Sequence, residues 1–327
     1  MYNDFLNYYH ACFASPWLAT VLMLIGFVLL VKGADGLIDG ASSLARRIGV
    51  SDLVVGLTVV AFGTSMPEFV VNMISAGQGN CALAITNVLG SNSINILVIL
   101  GLTALLWPVS SQRQSRMVDI PAAGVGSLLV LLFALDGNIG RSDGMALLAL
   151  FCAYMAYLTY QTKRHPVPSE SSTDGSIGVS RAILLVVMGL IGLSAGGELC
   201  VDGATAIAQA MGVSDAIIGL TIVALGTSLP ELATSVIAAM RHHSDLAMGN
   251  CIGSCTFNIF FVLAFSGIIH PLDGYPGLTL DAAMALLGPA LVWGCVMLSP
   301  RRELSRPAGA LLLLVYAAYL TYRLWAL

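Results

Sequence analysis

The chain has 327 residues, of which 57% are apolar and only 10% are charged, and its mean hydropathy is +0.87. Soluble domains carry about 25% charged residues. The composition therefore excludes an ordinary soluble enzyme and a nucleic-acid-binding protein, and it indicates a polytopic membrane protein surrounded by lipid. The net charge of −4 says little, because in a membrane protein the charges matter loop by loop.

Ten apolar stretches along the chain are each long enough to cross a bilayer as a helix. They lie at 17–44, 51–77, 81–107, 118–135, 144–161, 181–207, 214–240, 244–268, 279–298 and 307–325. The one clearly polar connector, rich in Ser, Pro, Lys and Arg, lies between the fifth and the sixth. We therefore divide the chain into an external N-terminal segment (1–16), a first five-helix repeat (17–161), a cytoplasmic linker (162–180) and a second five-helix repeat (181–327).

The second predicted helix contains two residues that a membrane span tolerates badly. Its hexamer 63–68 reads Gly-Thr-Ser-Met-Pro-Glu. A proline inside a helix costs about 3 kcal/mol, and an ionised residue at mid-membrane costs roughly 2.5–3.5 kcal/mol on insertion scales. The same pattern returns in the seventh predicted helix, where the hexamer 226–231 reads Gly-Thr-Ser-Leu-Pro-Glu.

The two hexamers belong to an internal repeat with a constant offset. Glu231 follows Glu68 by 231 − 68 = 163 positions, and the same offset relates Asn95 to Asn258. Each copy has five predicted helices, an odd number, so the second copy enters the membrane upside down relative to the first. Inverted repeats of this kind place a binding site at the midplane and often build it from interrupted helices.

Basic residues are concentrated in alternate loops, which sets the predicted orientation. With ten spans, one side of the membrane collects eleven of them: Arg46, Arg47, Arg113, Arg116, Lys163, Arg164, Arg181, Arg241, Arg301, Arg302 and Arg306. The loops of the other side hold only Arg141 and Arg323. The positive-inside rule then predicts a plasma-membrane protein (an inner-membrane protein in bacteria) with both termini outside.

The hexamers offer oxygen atoms that suit a hard cation. Thr64 and Ser65 precede Glu68 by four and three residues, so the three side chains lie on one side of a helix. Pro67 cannot donate a hydrogen bond to the Gly63 carbonyl, which leaves a further oxygen. Carboxylates, hydroxyls and carbonyls are the ligands of Ca²⁺, whereas softer metals require sulfur or imidazole. The alternative is a proline kink whose hydroxyls only join neighbouring helices.

The helix after each hexamer carries a second polar stripe. Asn87, Ser91 and Asn95 are spaced by four residues, and so are their counterparts Asn250, Ser254 and Asn258. Such a stripe offers neutral oxygen ligands or simply bonds adjacent helices. Four further carboxylates, Asp35, Asp39, Glu198 and Asp202, lie near the ends of the first and sixth predicted helices, where helix caps or solvated side chains are expected.

Two copies of Gly-Thr-Ser-x-Pro-Glu, each followed by Gly-Ser-x-x-x-Asn, resemble the α-repeats of the calcium/cation antiporter superfamily, in its sodium/calcium exchanger type. The resemblance implies an all-α polytopic fold of about ten transmembrane helices in two inverted repeats. It also implies a transported-ion site made of Glu68, Glu231, Thr64, Ser65, Thr227, Ser228, Ser91, Ser254, Asn95, Asn258 and the backbone carbonyls of Ala61 and Ala224. Because Ala61 precedes Gly63 by two residues, we expect the helix to unwind further than one lost bond.

Two departures from that family bear on the coupling ion. Sodium/calcium exchangers carry an aspartate at the position of Asn258, and Cys255 replaces an asparagine that the first copy keeps as Asn92. Two carboxylates supply a charge of about −2, which balances one Ca²⁺ or two monovalent ions. Because buried carboxylates take up protons more readily than exposed ones, two protons on Glu68 and Glu231 would balance the same cycle.

The sequence thus leaves a short list of functions. The first is exchange of Na⁺ for Ca²⁺ by alternating access, with these ions as cargo, no resident cofactor, and one chain sufficient to build the site. The second is exchange of H⁺, or of another cation, for Ca²⁺. A cation channel is a more distant alternative. An intramembrane enzyme is not expected, since the chain contains no HExxH signature and no His or Lys base lies beside Ser65 or Ser228.

Overall fold

The computed structural model describes residues 13, 15–164, 177–213, 218, 222 and 224–325. Most of the predicted N-terminal segment, most of the linker and most of the first half of the seventh predicted helix lie outside these residues. The first repeat contains α1 Pro16–Ile48, α2 Asp52–Thr64, α3 Met66–Gly77, α4 Cys81–Leu106, β1 Val109–Ser110, α5 Ser115–Asp136, β2 Asn138–Ile139 and α6 Arg141–Arg164. The second contains α7 Val179–Ala210, a single turn Ala224–Gly226, α8 Leu229–Met240, α9 Ser244–Ile269, β3 Leu272–Asp273, α10 Leu278–Leu298, β4 Glu303–Leu304 and α11 Arg306–Trp325.

The apolar stretches form helices close to the predicted positions. In the part of the chain that the structure describes, eight helices are long and apolar enough to cross a membrane, or nine when the bent pair α2 and α3 counts as one span. The shorter apolar helix α8 stands where the second half of the seventh span is predicted. About ten spans therefore remain a consistent description.

Helices α1 and α7 are the longest, with 33 and 32 residues. At 1.5 Å per residue each measures about 50 Å, well beyond the roughly 30 Å hydrocarbon core. They cross in direct backbone contact, because a Cβ atom added at Gly33 would lie 2.8 Å from the Gly189 carbonyl oxygen. A Cβ added at Gly26 would lie equally close to the Gly196 carbonyl oxygen. Small residues at such crossings are the usual basis of close helix packing in membranes.

Helices α4 and α9 form the centre of the protein. In each of them 78% of the most apolar 18-residue window is buried, a larger share than in the other candidate spans. Both helices widen into π-helical turns at corresponding places, Ile94–Leu100 in α4 and Asn258–Leu263 in α9. Short π-helical segments often mark functional sites, and these begin where the polar stripes end.

Contacts between loops define the two ends of the molecule. Strands β1 and β4 pair at one end, and strands β2 and β3 pair at the other. We call the first end the basic face and define it by the loops at 49–51, 107–114, 241–243 and 299–305. His243 on this face lies 2.8 Å from Asp52, and Gln112 donates to Asp245 at 2.7 Å. We call the other end, with the loops at 78–80, 137–140 and 270–277, the opposite face.

Candidate cation site

Both hexamers interrupt their helix at the serine. Ser65 has φ −86° and ψ 8°, and Ser228 has φ −91° and ψ 5°. The proline two residues later lies in the first turn of the following helix, where its missing N–H is not needed. At this break α2 and α3 bend by 49°. Glu68 and Glu231 consequently lie in the first turns of α3 and α8, and both are completely buried.

Serine hydroxyls from both repeats converge on the two carboxylates. Ser91 donates to Glu68 Oε1 at 3.4 Å, and its counterpart Ser254 donates to Glu231 Oε1 at 3.3 Å. Ser65 of the first repeat also donates to Glu231 Oε1, at 2.8 Å. A hexamer serine of one repeat therefore reaches the glutamate of the other, as a shared site requires.

The hexamer threonines make further contacts between the repeats. Thr227 lies beside the Glu68 carboxylate and Thr64 lies beside the Glu231 carboxylate. Thr64 Oγ1 is also 3.3 Å from Asn250 Oδ1. The two carboxylates interact electrostatically with each other. The structure thus brings Thr64, Ser65 and Glu68 together with Thr227 and Glu231, in agreement with the predicted spacing.

The first amide of each polar stripe joins helices. Asn87 donates to the backbone carbonyl of Glu68 at 3.3 Å and to Asn72 Oδ1 at 2.5 Å. In the second repeat Asn250 donates to the backbone carbonyl of the hexamer glutamate at 3.4 Å and to Ser235 Oγ at 2.9 Å. Asn72 and Ser235 were not singled out from the sequence, although the repeat offset pairs them (235 − 72 = 163). The stripes therefore serve partly as structural contacts.

The last amide of each stripe is buried deeper in the core. Asn95 and Asn258 are fully buried. Asn258 Nδ2 donates to Asn92 Oδ1 at 3.2 Å, and Asn92 Nδ2 donates to the Cys255 carbonyl at 3.1 Å. The asparagine that the first repeat keeps and the cysteine that replaces it in the second are therefore in contact, and they link α4 to α9.

Several buried oxygens of the predicted site residues have no hydrogen-bond partner among the described residues. They are Glu68 Oε2, Glu231 Oε2, Asn95 Oδ1, Asn258 Oδ1 and Ser228 Oγ. Burying such groups without a partner is costly, and a hard cation would satisfy them. Within the described ranges no cluster of three or more His, Cys, Asp or Glu side chains could hold a metal. The donor set is therefore two carboxylates with neutral oxygens.

The backbone at the first break corrects one expectation. The Ala61 carbonyl accepts a hydrogen bond from Ser65 N at 3.0 Å, so α2 stays closed at this residue, and the prediction that it unwinds beyond one lost bond is wrong for the first repeat. At the second break Ser228 N bonds the Leu225 carbonyl, three residues back, at 3.2 Å. Thr64 Oγ1 also donates to the Ala61 carbonyl oxygen, at 3.4 Å. Ion binding by the carbonyls of Ala61 and Ala224 remains a prediction.

A cavity of about 200 Å³ adjoins the hexamers on the side of the opposite face. Its lining includes both hexamer prolines, Thr227 and two acidic side chains of α7, Glu198 and Asp202. On the basic face the corresponding acids of α1, Asp35 and Asp39, form ion pairs with Arg241. Asp35 and Asp39 are therefore not helix caps, because α1 continues past them to Ile48.

Comparison with known proteins agrees with this arrangement. A family model described as sodium/calcium exchanger protein matches residues 18–160 and again residues 181–325. Inner membrane protein YrbG of Escherichia coli (strain K12) is 37% identical over 264 residues, which cover 78% of this chain and 81% of that protein. Sodium/calcium exchanger MaX1 of Methanosarcina acetivorans is 29% identical over 341 residues, which cover 92% of this chain and 97% of that protein.

The fold also resembles a solved structure. The sodium-calcium exchanger NCX_Mj, soaked with 10 mM Na⁺ and 10 mM Sr²⁺, matches with a TM-score of 0.81 and 32% identity, over 94% of this chain and 99% of that one. The match confirms the predicted all-α polytopic fold with two inverted five-helix repeats. The family match and the named exchangers also confirm a transporter rather than an enzyme. The chain therefore belongs to the sodium/calcium exchanger family, in the calcium/cation antiporter superfamily, and is a cation antiporter.

Proposed function

We propose that this antiporter exchanges Na⁺ for Ca²⁺ at one buried site that both repeats share. The observation that carries the proposal is the hydrogen bond from Ser65 to Glu231, because it joins the two interrupted helices at their carboxylates. Glu68 and Glu231 supply the charge. Neutral ligands come from the hydroxyls of Thr64, Ser65, Thr227, Ser228, Ser91 and Ser254, the amides of Asn95 and Asn258, and the carbonyls of Ala61 and Ala224.

Burial of the two carboxylates explains how one site couples two ion fluxes. Two buried negative charges in a low-dielectric interior are costly unless cations pair with them. One Ca²⁺ or two Na⁺ neutralise a charge of −2, so either load permits a conformational change that an empty site resists. Because both ions use the same oxygens, they compete, and one is released before the other binds. A site that must release one ion before it binds the other exchanges the two ions across the membrane.

Helices α1 and α7 are the elements we assign to the alternating movement. They pack against each other in backbone contact at their glycines and carry none of the hexamer or stripe residues. Inverted-repeat transporters expose a fixed midplane site to either side by moving one group of helices against another. The proposed orientation places the basic face in the cytoplasm and both termini outside, in the plasma or bacterial inner membrane. Na⁺ entering the cell down its gradient then drives Ca²⁺ out.

Proton coupling is the second candidate, and Asn258 is the observation that favours it. The amide at this position leaves the site with two carboxylates, and its Nδ2 is committed to Asn92. Two protons neutralise Glu68 and Glu231 as effectively as two Na⁺ ions. The two candidate functions use the same site and differ only in whether Na⁺ or H⁺ is exchanged for Ca²⁺.

Tracer flux in proteoliposomes tests the proposal. Vesicles loaded with Na⁺ are diluted into Na⁺-free buffer containing tracer Ca²⁺, and uptake is expected only with the Na⁺ gradient. Glu68→Gln and Glu231→Gln should each reduce uptake about 100-fold or more, since removing one member of a buried charge pair costs 3–5 kcal/mol. Glu303→Gln, a glutamate of β4 outside the site, is the matched control and should transport normally.

Each other outcome selects a different function. Uptake driven by a pH gradient and indifferent to Na⁺ would establish proton exchange. Uptake that needs no ion on the far side of the membrane would indicate a channel. Uptake that survives both glutamine substitutions would refute the assignment of the site.

A further inference from the structure

Arg241, at the C-terminal end of α8, connects this site-bearing helix to α1. Its guanidinium lies 2.6 Å from Asp35 and 2.8 Å from Asp39. The two aspartates are four residues apart, so they lie on one side of α1, one turn from each other. One arginine therefore bridges two successive turns of α1 at the basic face.

The repeat offset shows that this bridge exists in only one of its two equivalent places. Adding 163 maps Asp35 to Glu198 and Asp39 to Asp202, so the second repeat keeps both acids. Subtracting 163 maps Arg241 to position 78, which is glutamine. Gln78 ends α3 at the opposite face, as Arg241 ends α8 at the basic face. A glutamine has no charge and cannot form the corresponding ion pairs.

The two pairs of acids also have different surroundings. Asp35 and Asp39 are bound to Arg241, whereas Glu198 and Asp202 line the 200 Å³ cavity together with Thr227 and the hexamer prolines. Among the described residues, α1 is therefore joined to α8 at the basic face, whereas a cavity adjoins the hexamers on the side of the opposite face. Since α1 and α7 are packed in backbone contact, a link from α1 to α8 restrains both.

We propose that Arg241 is a positioning residue that latches α1 to α8 and holds the exchanger accessible from the opposite face. Reorientation toward the basic face requires the two ion pairs to break. The latch acts on the equilibrium between the two orientations and does not touch the transported ion. Arg241, Asp35 and Asp39 are all partly exposed, and exposed ion pairs contribute little each. The expected effect is therefore a shift of about two- to tenfold in that equilibrium, rather than a loss of transport.

A labelling experiment tests the latch without any assumption about which ions are exchanged. Ser194 lines the cavity on the opposite-face side, and Ser194→Cys gives a site for a membrane-impermeant maleimide, with the unsubstituted protein measuring background from native cysteines. Adding Arg241→Gln should slow labelling about two- to tenfold, because the cavity is open for a smaller fraction of the time. Arg241→Lys, which keeps one positive charge, should restore most of the rate.

Three further variants exclude a general loss of structure. Asp35→Asn with Asp39→Asn should slow labelling as much as Arg241→Gln, and combining all three should add nothing, because they remove the same contacts. Gln78→Arg places a cation equivalent to Arg241 at the opposite face, toward Glu198 and Asp202, so it should close that face, favour access from the basic face and slow labelling, in the same direction as Arg241→Gln. Unchanged labelling in Arg241→Gln, or additive effects of the three substitutions, would overturn the proposal.

Transport measurements provide the second readout. In vesicles of uniform orientation, Arg241→Gln should lower the half-saturating Ca²⁺ concentration at the basic face and raise it at the opposite face. A substitution that only damages the protein would reduce the maximal rate and leave that ratio unchanged. If labelling shifts as expected while no Na⁺-driven Ca²⁺ flux occurs, the latch stands and the proposed function fails.

Discussion

The two repeats share a backbone at the site and differ in the side chains that surround it. Ser65 and Ser228 break their helices with backbone angles that differ by only 5° in φ and 3° in ψ. Yet Ser65 donates to Glu231 at 2.8 Å, whereas Ser228 Oγ has no partner among the residues that the structure describes. The backbone repeat sets where the carboxylates lie, and individual side chains determine how each one is held.

The same contrast recurs away from the carboxylates. The first repeat has Asn92 where the second has Cys255, and the first has Asn72 where the second has Ser235. An inverted repeat with identical halves would present equivalent pathways to the two faces of the membrane. Each substitution removes some of that equivalence, so the differences between the repeats are where direction and coupling can be set.

Among the positions at which the two repeats can be compared, the largest expected effect comes from adding a charge at Asn258. Asn258→Asp raises the site charge from −2 to −3, so a Ca²⁺-loaded site carries a net charge when it reorients. One charge crossing 100 mV is worth about 2.3 kcal/mol, which corresponds to a change of up to about 40-fold in rate. Tracer Ca²⁺ uptake under a K⁺-diffusion potential, compared with uptake at zero potential, should show this dependence in the variant.

The first repeat offers a matched control for that substitution. Asn95→Asp adds the same charge at the equivalent position, where no partner of the amide is found among the described residues, and voltage dependence of the same sign is expected. The unsubstituted protein should be nearly insensitive to potential. A strong voltage dependence of the unsubstituted protein would show that the charge of the exchanged ions is not balanced by two carboxylates.

A smaller effect should separate the two hexamer serines. Ser65→Ala removes the 2.8 Å bond to Glu231 and leaves that buried carboxylate with one fewer donor, a loss of about 1–3 kcal/mol. We expect roughly a tenfold change in the half-saturating Ca²⁺ concentration, since 1.4 kcal/mol corresponds to tenfold. Ser228→Ala should change the half-saturating Ca²⁺ concentration less than Ser65→Ala does, when Ca²⁺ is supplied at the opposite face. Equal effects of the two substitutions would mean that the asymmetry in hydrogen bonding has no bearing on binding.

Much of the fold follows from hydropathy and the repeat. The predicted spans 81–107 and 244–268 correspond to α4 Cys81–Leu106 and α9 Ser244–Ile269. The first span is predicted to end at 44, because Arg46 and Arg47 resemble a loop, but α1 continues to Ile48. Basic residues in a last turn complement the helix dipole, and Gly49, with φ 68°, provides the left-handed residue that ends many helices. A hydropathy profile predicts neither the favourable interaction of basic residues with the helix dipole nor the left-handed glycine that ends the helix.

The sequence predicts which residues form the site, but it predicts only some of the contacts between their side chains. The spacing within each hexamer predicts that Thr64, Ser65 and Glu68 share one side, and the offset supplies their counterparts. It does not indicate that Ser65 reaches across to Glu231, since that depends on how two helices cross. The ion pairs of Arg241 were missed for the same reason, because Asp35 is 206 residues away (241 − 35) and only the tertiary fold brings them together.

The smallest predicted difference is in stability, and it concerns the residues that the polar stripes bind. Asn72 donates to the α4 backbone at 2.9 Å and to Ser266 at 3.2 Å, and it accepts from Asn87 at 2.5 Å, whereas Ser235 accepts one bond from its stripe amide and has one further contact, 3.3 Å to Cys251 Sγ. Each buried group left without a partner costs about 1–3 kcal/mol. Asn72→Ala should therefore lower the melting temperature of the detergent-solubilised protein more than Ser235→Ala does, with Thr86→Ala, an exposed hydroxyl on α4, as control. Equal decreases in melting temperature would mean that water replaces the extra hydrogen bonds of Asn72. The contacts of Asn72 and Ser235 would then stabilise their repeats equally.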